Sequence, residues 1–141
     1  MTRAAMSARQ AEILKRFTDR YSLGASSALN ALEMEAIGAV VGANGFTTVA
    51  QAEQLLDVLS LGTEAWLLDI GAGRGWPSLY LSERSGCRAV ITDLPRPAIA
   101  AAQNRAGDLG LAGRCHFALA SGSPLPFRHV SFDAVVHTDT L

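Results

Sequence analysis

Cysteine is scarce in this sequence. The 141 residues hold two, Cys87 and Cys115, far apart and with no C-x-x-C or Cys/His ligand spacing, so they are read as reduced, partly buried thiols and not as a disulfide or a metal pair. No metal site is expected. Long hydrophobic runs are also missing: none approaches the roughly 18 residues a membrane span requires. Glu12, Lys15 and Arg16 stand where a signal peptide would be apolar, so the cytoplasm is the default location and no membrane partner is expected. Charge of one sign is absent as well. Twelve Lys and Arg against 13 Asp and Glu leave a net charge of -1, with no electrostatic reason for a nucleic-acid partner. What is plentiful is apolar: 49% hydrophobic against 18% charged residues implies a packed core and not disorder.

Residues 1–62 read as a helical cap. Ser7 with Gln10, and Thr48 with Gln51, are capping boxes. Ile13, Leu14, Phe17 and Tyr21 then share one helical face. A second apolar series, Leu29 to Val41, is expected to end at Gly42, and a third helix to stop at Gly62. Residues 63–141 change rhythm. Short apolar runs at 65–70, 88–93, 115–120 and 132–137 alternate with helical segments at 77–85 and 97–109. Such alternation predicts βαβ units and an α/β fold with a parallel sheet.

The strand at 65–70 runs into Gly71-Ala72-Gly73-Arg74-Gly75. A glycine loop between a strand and a helix lets backbone N–H groups approach a ligand without Cβ obstruction. Dinucleotide sites space their small residues as G-x-G-x-x-G/A, and the third of those positions is Trp76 here, which disfavours a dinucleotide. A P-loop is excluded because no Gly-Lys-Ser/Thr follows. Asp93 closes the second strand 18 residues after Gly75, where a carboxylate either accepts both ribose hydroxyls or caps a surface turn before Pro95. Leu94 offers an apolar face to a base.

At these residues the sequence resembles the class I S-adenosylmethionine-dependent methyltransferases. Asp69-Ile-Gly-Ala-Gly-Arg-Gly75 is similar to the first motif of that family, Thr92-Asp93-Leu94 to its ribose-contacting strand tip, and Leu125-Pro126-Phe127 with Ser131 to Val136 to the approach to its fourth strand. The resemblance covers roughly residues 65–138. It implies S-adenosylmethionine as cofactor, held by the loop residues Gly71, Ala72, Gly73 and Gly75, with the amides around Gly71 and Gly73 meeting its amino-acid part. Asp69 either orders the loop, receives the cofactor's ammonium or satisfies backbone donors at the strand end. Ser121 stands where many relatives carry an acid that hydrogen-bonds adenine. The resemblance implies a Rossmann-like α/β sheet in the order 3-2-1-4 with helices on both faces. The family's sheet continues for about three more strands, so the resemblance also implies a chain interrupted after the fourth strand and self-association through that edge.

Around this frame lie weaker candidates. His137 and Asp139, at the fourth strand's tip, either face a substrate or simply end a strand. His137-Thr-Asp139-Thr does not resemble the motif of base-directed amino methylases, in line with a small-molecule acceptor. Tyr21 either faces the core or reaches the site, and residues 42–48 form either a lid or a plain turn. Trp76 is expected to pack the following helix against the sheet, and Arg74 to be exposed or to reach a cofactor carboxylate. His116 and His129 have no partner at ligand spacing and read as non-catalytic. The expected function is methyl transfer. The alternatives are a non-catalytic cofactor-binding remnant or subunit and, behind it, a dinucleotide module.

Overall fold

A computed structural model describes residues 6–43 and 45–139; Asn44, within the segment 42–48 read as a lid or a plain turn, lies outside them. Three helices come first. α1 (Ala8–Ser22) opens on the expected box, with the Gln10 N–H donating to Ser7 Oγ at 3.2 Å and the Ser7 N–H to Gln10 Oε1 at 2.8 Å. α2 (Ser27–Ile37) is capped by Ser26. α3 (Val49–Leu59) opens on the Thr48/Gln51 box. Two helix ends differ from the sequence reading. α2 stops before Gly38, not Gly42, because Gly38 takes the left-handed conformation (φ 87°) and returns its N–H to Met34, the ordinary glycine termination. α3 stops at Ser60 (φ 46°), whose hydroxyl donates to the Asp57 carbonyl, two residues short of Gly62.

The remainder is a parallel α/β unit: β1 (Trp66–Ile70), α4 (Ser78–Ser85), β2 (Arg88–Asp93), α5 (Arg96–Asp108), β3 (Cys115–Leu119) and β4 (Ala134–Val136). The sheet order is β3-β2-β1-β4, as expected. Leu67 lies opposite Ala89 and Ala134, and Asp69 opposite Ile91 and Val136. Alternation therefore turns Leu67, Ala89, Ile91, Cys115 and Val136 to one face. There they pack with Leu79 and Leu81 of α4 and with Ile99, Ala102 and Ala106 of α5. Each fully buried leucine on this face contributes about 2 kcal/mol by leaving water. β4 is shorter than the apolar run at 132–137. Asp133 closes the pairing instead, its N–H donating to the Trp66 carbonyl (2.8 Å) and its carboxylate accepting the Trp66 N–H (2.7 Å). Phe132 leaves the ladder to pack edge-on against Phe127. Among the described residues the outer edge of β4 is unpaired.

The cap sits on the helices. α1 packs on α5 and α3 on α4, the latter joined by the Tyr80 hydroxyl donating to Glu53. A second apolar cluster of Ile37, Ala52 and Trp76 binds the cap to the start of α4. The chain continues from β1 to β2 on one side while β4 pairs with β1 on the other, so the carboxyl ends of β1 and β4 mark the switch point of the sheet, where ligands of such sheets bind.

Candidate cofactor site at the glycine loop

β1 ends in a turn that only glycine tolerates. Gly71, Gly73 and Gly75 have φ of 70°, 56° and 88°, in the left-handed region that L side chains rarely adopt. At Gly75 a Cβ would come within 2.7 Å of Leu79 Cδ1, so the glycine lets α4 approach the loop. At Gly73 it would come within 2.5 Å of the Tyr21 hydroxyl. Internal bonds set the loop's shape: the Gly75 N–H donates to the Ala72 carbonyl at 2.8 Å, and the Ala72 N–H to Thr92 at 3.0 Å. The fully buried Thr92 hydroxyl donates to the Asp69 carbonyl at 2.8 Å.

Two carboxylates converge on this loop. Asp69 is buried, and neither of its oxygens has a hydrogen-bond partner among the described residues. Burial pushes its carboxyl up to about 7; the neighbouring Asp93 pushes the same way and Ser78 opposes. Asp93, half-buried at the end of β2, accepts the Gly73 N–H through Oδ2 and the Leu94 N–H through Oδ1, both at 2.7 Å. Burial raises its pKa as well, against the pull of those two amides.

The other sequence candidates fall around this centre. Leu94 is exposed beside Asp93. Ser121 is exposed and closes a local turn, its hydroxyl donating to the Ser123 carbonyl (3.0 Å) and accepting the Ser123 N–H (3.2 Å). The next residue, Gly122, passes so close to β1 that a Cβ would lie 3.1 Å from Ile70 Cγ2. Segment 120–122 thus borders the loop. His137 is exposed at the tip of β4. Asp139 is engaged with the cap, accepting the Phe46 N–H (2.9 Å), the Thr47 N–H (3.2 Å) and the Thr47 hydroxyl (2.9 Å). His116 tilts against Trp66, with ring centroids 5.5 Å apart. No cluster of three metal-ligating side chains occurs among the described residues, and none of their helices is long and apolar enough to cross a membrane.

Trp76 and Arg74 depart from the sequence reading. The indole touches Tyr80 of the following helix but packs into the cap cluster, not between α4 and the sheet, and its N–H donates to the Thr47 carbonyl at 2.8 Å. A buried indole N–H needs an acceptor, and the cap backbone supplies one. Arg74 is neither free in solvent nor aimed along the loop: it donates to the carbonyls of Tyr21, Leu23 and Gly42. Only the tertiary placement of the cap reveals these partners, although a buried indole beside a glycine loop is itself a signal for a nearby acceptor.

Comparison with known proteins places this geometry. Residues 67–141, just over half of the chain, match the model of a family described as a methyltransferase domain. The chain is similar to the methyltransferase GfsG of Streptomyces halstedii, 31% identical over 83 residues, a stretch that spans 59% of this chain and 30% of that protein. In structure it resembles the geranyl diphosphate C-methyltransferase of Streptomyces coelicolor A3(2), solved with Mg2+, geranyl diphosphate and S-adenosyl-L-homocysteine. That likeness has a TM-score of 0.70 and 18% identity, over 94% of this chain and 54% of that one. It also resembles a SAM-dependent methyltransferase of Thiobacillus denitrificans in complex with S-adenosyl-L-homocysteine, with a TM-score of 0.62 and 21% identity, over 84% of this chain and 45% of that one. The family match begins in β1 and takes in the glycine loop, Asp93 and the 3-2-1-4 sheet. The chain belongs to the methyltransferase-domain family and carries the class I fold.

Proposed function

We propose that the chain binds S-adenosylmethionine at the Gly71–Gly75 loop and serves methyl transfer to a small-molecule acceptor. The observation that carries this is Asp69, a buried carboxylate at the root of the glycine loop with neither oxygen partnered among the described residues. A carboxylate so placed costs several kcal/mol unless a cation or donor answers it, and an amino-acid ammonium is such a group.

The residues present fit the cofactor. Asp69 would receive its ammonium, and the glycine backbone from Gly71 to Gly75, which puts no Cβ in the way, would line its amino-acid part. The N–H groups of Ala72, Gly73 and Gly75 are held by Thr92, Asp93 and Ala72 and fix the loop's shape instead of donating to the ligand. Asp93 would take the ribose hydroxyls, Leu94 would lie against the base, and Ser121 would meet the adenine edge. When bound, the cofactor supplies a methyl carbon on a cationic sulfur, open to in-line displacement. The chain's own share is alignment and exclusion of water, so no catalytic base is assigned. His137, exposed at the tip of β4, is the substrate-facing candidate. Asp139 has its carboxylate committed to the cap. The near-neutral charge, -1, supports a small acceptor over a nucleic acid, as does the small-molecule substrate of the Streptomyces coelicolor neighbour.

Calorimetric titration with S-adenosylhomocysteine tests the reading. Saturable one-to-one binding at about micromolar affinity, with none for a nicotinamide dinucleotide, is the expected result. No heat of binding at several hundred micromolar would overturn it.

A further inference from the structure

Arg74 has its main chain in the glycine loop and its side chain in the cap. One guanidinium nitrogen donates to the carbonyls of Tyr21 (3.1 Å) and Leu23 (3.2 Å) at the end of α1. The other donates to Gly42 (3.3 Å), between α2 and α3. The guanidinium carbon lies 5.2 Å from the centroid of the Tyr21 ring. Gly42 leaves room for the aliphatic stem: a Cβ there would stand 2.9 Å from Arg74 Cδ. A cation at the C-terminal carbonyls of α1 is also favoured by the helix dipole.

Apolar burial does little to fix that part of the cap. α1 packs on α5 but has no fully buried residue, and Leu23, Leu29 and Leu32 are exposed. The turn at Gly42 is otherwise held by a polar tie, Glu33 accepting the Val41 and Ala43 N–H groups. Where apolar burial is thin, a segment's position rests on its polar ties and opens locally at small cost. The cap also touches the loop itself, because the Tyr21 hydroxyl lies 2.5 Å from where a Cβ of Gly73 would be. Movement of Gly73 to Gly75 therefore displaces the root of Arg74, and with it the end of α1 and the turn at Gly42.

We infer that Arg74 is a positioning residue that couples cofactor loading in the glycine loop to the seating of the N-terminal cap over it. The inference rests on the loop being the cofactor site. By linkage the coupling is reciprocal: whatever factor the ligand adds to cap seating, a seated cap adds to ligand affinity.

Hydrogen exchange followed by mass spectrometry, on the whole chain with and without S-adenosylhomocysteine, tests it. In the wild type the ligand is expected to slow exchange both at 71–75 and in the cap segments 21–24 and 42–48, the latter about five-fold or more. In Arg74→Ala and Arg74→Gln the ligand is expected to protect 71–75 still, while its effect on the cap disappears. A purely structural arginine would change cap exchange equally with and without ligand, so the ligand-dependent difference is the decisive readout. Protection at 71–75 without cap protection in the wild type overturns the coupling and leaves the site reading intact. Cap protection that survives in either variant overturns it too. Absence of any protection at 71–75 in the wild type defeats the site reading itself. The wild-type comparison stands even where a variant does not fold.

Discussion

Asp69 sets the pH behaviour of the site. Its carboxyl titrates near 7 in the folded chain against an ordinary value of 3.8. Between those two values the unfolded chain has released the proton that the folded chain keeps. Stability from this group is therefore full in acid and is lost as pH rises toward 7, by on the order of 3–4 kcal/mol. Asp93, also raised, acts in the same direction. Asp69→Asn is expected to flatten the fall in melting temperature between pH 5 and 7.5 and to raise it at pH 7.5, measured by thermal unfolding without ligand. The same substitution is expected to weaken S-adenosylhomocysteine binding at least about ten-fold, since it removes a charge-assisted partner. Wild-type affinity should tighten as pH rises from 5.5 to 7.5, because a cationic group needs the ionised acid.

At this scale the loop was legible from residue order alone. Gly71, Gly73, Gly75 and Asp93 lie within 23 residues of one another, and their places after β1 and at the end of β2 follow from the local pattern of strand, turn and strand. Arg74 and Asp139 were not. Their partners stand 32 to 53 and 92 to 93 residues away, and no local pattern encodes such a pairing. Trp76 was half-legible: its bulk argued against a dinucleotide, but its packing direction depends on the Thr47 carbonyl.

Among the elements, starts were read better than stops. The two capping boxes are local side-chain bonds, and both formed as the spacing predicts. The helix ends at Gly38 and Ser60 depended on which of several eligible residues turned left-handed, a choice made by packing. The turn before β4 shows the same freedom at a cost. Val130 is left-handed (φ 55°) and fully exposed, a conformation that burdens a β-branched residue by about 1–2 kcal/mol. It packs against nothing that would offset the strain. Val130→Asn is expected to stabilise the protein by about 1 kcal/mol, read as a higher denaturation midpoint at an unchanged m-value. Equal or lower stability would mean that the valine makes a contact the geometry does not contain.

Across the whole molecule, the parallel sheet followed from the alternation of strands and helices and its order from the family resemblance, and the chain realises both. What periodicity could not supply was how the cap is held. Among the described residues, three side chains of the α/β unit bond to its backbone: Arg74, Trp76 and Asp139. The order in sequence then has a kinetic meaning. β1 to β3 form one continuous stretch, residues 66–119, whose pairings close short loops. The bonds from Asp139 to Phe46 and Thr47 span 93 and 92 residues, and closing so long a loop early is entropically unfavourable. They should form after the rate-limiting step. Asp139→Ala is accordingly expected to speed unfolding several-fold while leaving the refolding rate within about two-fold, as stopped-flow chevrons would measure. The acid at the end of β4 then acts as a brake on disassembly, setting how long the native chain persists and not how fast it is reached.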